Sequence, residues 1–123
     1  MAFESNITGS IISHLNRLPY GRAEKLKGSS SGSGKADINA CYRGRSLRIE
    51  VKTADNRNKA SDKQNHNLEK WRKAGAVVMV VYSKRAVEQF LALLDNGFTG
   101  KWVLREENGC ESWVSIPSLN WMG

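Results

Sequence analysis

The chain has 123 residues and carries 19 Lys and Arg against 12 Asp and Glu, a formal net charge of +7. That length suits one compact domain spanning 1–123. With 40% hydrophobic residues and four Trp there is enough apolar mass for a core, which excludes wholesale disorder, and no run approaches the roughly 20 apolar residues of a membrane span. The positive surplus favours an anionic partner, nucleic acid above all.

Ile7, Ile11, Ile12 and Leu15 form one apolar stripe, which predicts a helix from Glu4 to about Asn16, finished before Pro19. Residues 28–34 read GSSSGSG, flanked by Lys25, Lys27 and Lys35, and predict a loop without core contacts. Two alternating runs follow, 37–42 and 46–52, around Arg43-Gly44, and predict a β-hairpin. Apolar faces must meet on one side of a sheet, so Ile38 should face Ile49 and Ala40 should face Leu47. Ser61, with Gln64 three residues on, predicts the N-cap of a second helix running to about Gly75. Gln64, Leu68 and Trp71 fall on one face of it, expected to be buried.

The continuous apolar run 76–82 reads as a strand buried on both faces. Ser83 is expected to cap a third helix whose stripe is Val87, Phe90, Leu91 and Leu94 and which ends at Asn96-Gly97. Runs 101–107 and 110–116 flank Asn108-Gly109, a strong hairpin signal, with Trp102 and Trp113 expected in the core. The order predicts an α/β domain: a core over 4–96 with a mixed central sheet flanked by helices, then a C-terminal hairpin over 101–116.

The same hairpin register puts Asp37 opposite Glu50, and Lys52 shares their face, two residues along the strand, about 7 Å away. Adjacent carboxylates repel unless a proton or cation lies between them. A hard ion such as Mg²⁺ suits them, since it accepts one or two carboxylates completed by water and phosphate oxygens. A lysine beside such an ion can orient water or offset charge on a phosphate under attack. The plain alternative is that all three are surface charges of little energetic consequence.

Gly34-Lys35-Ala36-Asp37 followed by Glu50-Val51-Lys52 resembles the PD-(D/E)XK nuclease motif. With Ser61-Asp62-Lys63-Gln64 on a helix, then Gly75 and an apolar strand, the chain is most similar to the virus-type replication-repair nuclease (VRR-NUC) branch, related to Holliday-junction resolvases. The resemblance covers about 4–82, and Ala36 stands where that family usually has proline. It implies a restriction-endonuclease-like core and an endonuclease hydrolysing phosphodiester bonds in branched or structured DNA, acting as a homodimer. It further implies Mg²⁺ or Mn²⁺ held by Asp37, Glu50 and the Val51 carbonyl, with Glu4 from the first helix. Lys52 would act on the attacking water, and Gln64 would reach towards the same centre.

Arg22, Lys25, Lys27 and Lys35 are expected to touch DNA phosphates. Gly28–Lys35 does not make a P-loop: Ser29 and Ala36 stand where that motif needs Gly and Ser or Thr, and the segment precedes a strand. Cys41 and Cys110 fit no metal spacing and are too few for a disulfide framework, and Met1-Ala2-Phe3-Glu4 lacks the features of a secretory signal. Both point to a reducing, cytoplasmic setting away from membranes. A basic nucleic-acid-binding protein without catalysis, or a nuclease-fold subunit of a larger complex, are the competing readings.

Overall fold

The computed structural model describes residues 4–26, 36–53, 62–105 and 109–117. The elements in chain order are α1 (Glu4–Arg17), β1 (Gly21–Lys25), β2 (Ile38–Tyr42), β3 (Arg45–Val51), α2 (Asp62–Lys73), β4 (Val77–Val81), α3 (Lys84–Asp95), β5 (Lys101–Arg105) and β6 (Glu111–Ser115). One mixed sheet of order β1-β2-β3-β4-β6-β5 contains all six strands, and β3–β4 is its parallel pair. Two parallel neighbours cannot be joined by a tight turn, so the chain crosses over between them, with α2 in the connection.

The β2–β3 register is as expected, Ile38 against Ile49 and Ala40 against Leu47. Its two-residue turn has Arg43 at φ 49° and Gly44 at φ 84°, the paired left-handed conformations whose twist matches that of the flanking strands. Arg43 tolerates this backbone with its guanidinium 3.6 Å from the Tyr20 ring centre and Nε 3.1 Å from Asp95 Oδ1. The Tyr42 hydroxyl also meets Asp95, at 2.7 Å and 2.8 Å from its two oxygens, tying the hairpin turn to the end of α3.

Alternation along the strands divides the sheet into two faces. Ile38, Ala40, Leu47, Ile49, Val51, Val77, Met79, Val81 and Val114 form one face, covered by Ile11 and Leu15 of α1 and by Val87, Phe90, Leu91 and Leu94 of α3. On the other face Leu68 of α2 packs with Ala36, Val78 and Val80, and Trp113 borders that cluster. All five residues of β4 are buried, as its unbroken apolar run predicts for a strand covered on both sides. Ser83 caps α3, its hydroxyl accepting from Ala86 N–H at 3.1 Å.

Three differences from the sequence reading have physical causes. β1 was not anticipated, because Gly21-Arg-Ala-Glu-Lys25 buries only Ala23 and has no apolar alternation. It exists by pairing with β2, and the Asn16 amide fastens it to α1 by accepting from Ala23 N–H and donating to Ala23 O. Trp71 is not core: it is 40% exposed, because the sheet offers it the Arg48 guanidinium, 3.9 Å from the ring centre, in place of an apolar contact. Trp102 is also 40% exposed, on the edge strand, with Phe98 against it edge-on.

The loop 28–34, Lys27, Lys35, the Ser61 cap and Asn108 lie outside the described residues, as do the side chains of Glu4 and Gln64. Cys41 is exposed and Cys110 buried, and both are free thiols. Among the described residues no helix is long and apolar enough to cross a membrane.

Candidate active site

Ile38 pairs with Ile49, so the next step of the ladder brings Asp37 against Glu50 at the end of the β2–β3 hairpin. Glu50 in turn pairs with Val80 of β4, which carries it to the interior of the sheet. Both acids are buried, Asp37 at 8% exposure and Glu50 at 2%, and Lys52 is 9% exposed. Its Nζ lies 3.3 Å from Glu50 Oε2. Its backbone N–H donates to Val81 O at 2.8 Å, extending the parallel ladder by one residue and fixing where the side chain departs.

The Val51 N–H donates to Asp37 Oδ2 at 2.8 Å, so the hairpin itself orients this carboxyl. Burial pushes the Asp37 carboxyl above the usual range. The Val51 N–H, the charges of Lys52 and Lys25 and a hydrogen bond with the Glu50 side chain all pull it back. Two carboxyl groups placed side by side repel unless a proton or cation lies between them, and a divalent cation can take that place.

The carboxyl oxygens of Asp37 and Glu50 are the kind of donor that Mg²⁺ or Mn²⁺ accepts. Among the described residues no group of three or more His, Cys, Asp or Glu comes together. The set fits an ion completed by water and phosphate oxygens, the usual manner of Mg²⁺, and does not form an all-protein cage.

Asp37→Asn removes one buried charge and keeps an oxygen for the Val51 N–H. In EDTA at neutral pH this variant should melt at or above the wild-type temperature, because a carboxyl raised by burial costs stability once pH exceeds its folded value. Added Mg²⁺ should raise the wild-type midpoint by about 4 °C for each kcal/mol of binding and leave the variant unmoved. Differential scanning calorimetry with and without the metal measures both.

Of the four cations expected around the site, Lys27 and Lys35 lie outside the described residues, and Arg22 and Lys25 separate. Lys25 ends β1 opposite Ile38, and its charge acts on Asp37. Arg22 faces Cys41, four residues along β2 from Asp37, about 13 Å away. Arg48, which the sequence reading did not single out, shares the face of Glu50 and Lys52, two residues before Glu50. Its guanidinium is partly buried and bonds Ser46 Oγ at 2.8 Å and Leu47 O at 2.9 Å. The signal for it was the same two-residue spacing that linked Glu50 to Lys52.

No family model, curated protein or solved structure matches this chain.

Proposed function

We propose that this chain is a divalent-metal-dependent endonuclease with a restriction-endonuclease-like core, similar to the VRR-NUC branch of the PD-(D/E)XK nucleases, cutting branched or structured DNA as a homodimer. One observation carries the reading: two buried carboxyl groups in contact at a strand end, with a lysine ammonium 3.3 Å from one of them. Three buried ionisable groups in one cluster cost folding energy that surface charges do not, and functional sites are where such arrangements concentrate.

Asp37, Glu50 and the Val51 carbonyl would hold Mg²⁺ or Mn²⁺, with Glu4 as the contribution expected from α1. The bound ion would supply the positive charge that polarises the scissile phosphodiester and activates water. Lys52, restrained by Glu50 and by its own backbone bond to β4, would orient that water and offset the negative charge gathering on the phosphate. Gln64 on the first turn of α2 is the remaining candidate. Lys25 places a cation at the rim, where it can meet a DNA phosphate.

The test is incubation of the purified chain with labelled forked, four-way and linear DNA in Mg²⁺, Mn²⁺ or EDTA. Metal-dependent cuts in a branched substrate are the expected result. The competing reading, a basic DNA-binding protein without catalysis, is favoured by the lack of a third acidic, His or Cys ligand among the described residues. Binding without cleavage in every condition would establish it.

Lys25→Ala should weaken binding across all sequences and reduce the slope of log affinity against log salt by about one. Fluorescence anisotropy over a salt series measures that slope. An unchanged slope removes Lys25 from the interface.

A further inference from the structure

We propose that the groove between α2 and the β5–β6 hairpin receives an unpaired base of the DNA strand, stacked on Trp113. This inference rests on the nuclease reading and narrows its substrate to DNA with a single-stranded arm. The groove has a volume of about 870 Å³, in the range of pockets that hold a small molecule. Trp113 and Val103 line its floor, directly paired across β6 and β5. Val103 is 46% exposed, large for a valine in a sheet, because among the described residues no helix covers this end of the face. Lys101 holds its ammonium 5.3 Å from the centre of the Trp113 ring. Arg72, braced by Glu69 through a 3.0 Å bond at Nε, lines the α2 wall, and Glu69 and Glu111 are the acids beside it.

The groove is continuous with the carboxylate site in two ways. Glu50, Val80, Trp113 and Val103 are successive partners across four strands, so they stand in one row on one face of the sheet. Leu68 of α2 packs on that row at Val80, placing the acids on one flank of the helix and the groove on the other. The groove also reaches Tyr82, the residue after Val81, whose carbonyl accepts the Lys52 N–H. A strand with its phosphodiester at Lys52 is therefore about one strand spacing, roughly 5 Å, from Tyr82 of the groove lining, and about two strand spacings, roughly 10 Å, from the Trp113 position.

A nucleotide of a DNA strand offers the flat π face of its base to the indole and its backbone phosphate to Lys101. Bases inside a duplex are already stacked, so only unpaired ones are available for this contact.

The experiment measures binding of a labelled oligothymidylate and of a blunt duplex by anisotropy, in EDTA, so that the readout is independent of cleavage. Val103→Glu and Trp113→Leu should each weaken oligothymidylate binding by about ten-fold, with Trp113→Phe close to wild type, and duplex binding should change far less. Val103 is exposed, so Val103→Glu decides the matter even where Trp113→Leu fails to fold by circular dichroism. Unchanged oligothymidylate affinity in Val103→Glu overturns the proposal, as do equal losses for oligonucleotide and duplex. Sedimentation adds a further arm: conversion of a dimer to a monomer by Val103→Glu, with oligonucleotide binding intact, would make the groove a contact between copies. Failure of the nuclease reading is seen separately, as absence of cleavage by a chain that still binds.

Discussion

Glu50→Gln and Lys52→Met are each expected to lower the rate of metal-dependent cleavage of forked DNA by about 10²–10⁴-fold, the range seen when a group acting at the reacting centre is removed. Both substitutions keep approximate side-chain volume. That matters at positions 2% and 9% exposed, where truncation to alanine would confound lost chemistry with a cavity. Glu50→Gln removes the charge that partners Lys52 and would help hold the ion. Lys52→Met removes the cation and leaves Glu50 buried beside Asp37 without the 3.3 Å ion pair, so it should also lower the melting temperature.

DNA binding in EDTA separates chemistry from recognition. Glu50→Gln makes the chain one unit more positive and should bind DNA as well as wild type or slightly better. Single-turnover cleavage, with binding measured alongside, reads both quantities. Wild-type cutting rates in both variants would place the catalytic centre elsewhere.

Phe90→Ala is expected to destabilise the fold by about 3–5 kcal/mol, the usual cost of deleting a fully buried phenyl ring. Phe90 is 0% exposed and belongs to the α3 stripe that covers one face of the sheet together with α1. Domains of this size are stable by about 5–15 kcal/mol in total, so this single change removes a large part of the margin. Urea denaturation followed by circular dichroism should show a lower midpoint with an unchanged slope.

Asp37, Glu50 and Lys52 stand on the opposite face from Phe90. Cleavage by Phe90→Ala at low temperature should therefore stay near the wild-type rate per folded molecule. A loss of activity larger than the unfolded fraction would mean that α3 positions the site through the sheet.

Elements whose physics is local are legible in the residues alone. The α1 and α3 stripes, the Ser83 cap, the buried β4 run and the two-residue turn at Arg43-Gly44 follow from periodicity, capping and turn chemistry within a few residues. The hairpin register followed too, because one slip would exchange the apolar and polar faces of β2 and β3. With that register came the juxtaposition of Asp37, Glu50 and Lys52, since all three belong to a single hairpin and its extension.

Tertiary structure decided everything that depends on distant partners. β1 has one buried side chain and is a strand only because β2 offers it an edge. Trp71, by its spacing with Leu68 along α2, and Trp102, by residue type, read as core residues, yet each is 40% exposed, because what lies opposite a side chain is set by another part of the chain. That Lys52 is anchored through Val81 depends on the parallel pairing of β3 with β4, which joins segments separated by a helix. The row from Glu50 through Val80 and Trp113 to Val103 spans four strands from three separate stretches of sequence. No periodicity within any one of them could announce it, because strand order is fixed by how the two apolar faces find their helices.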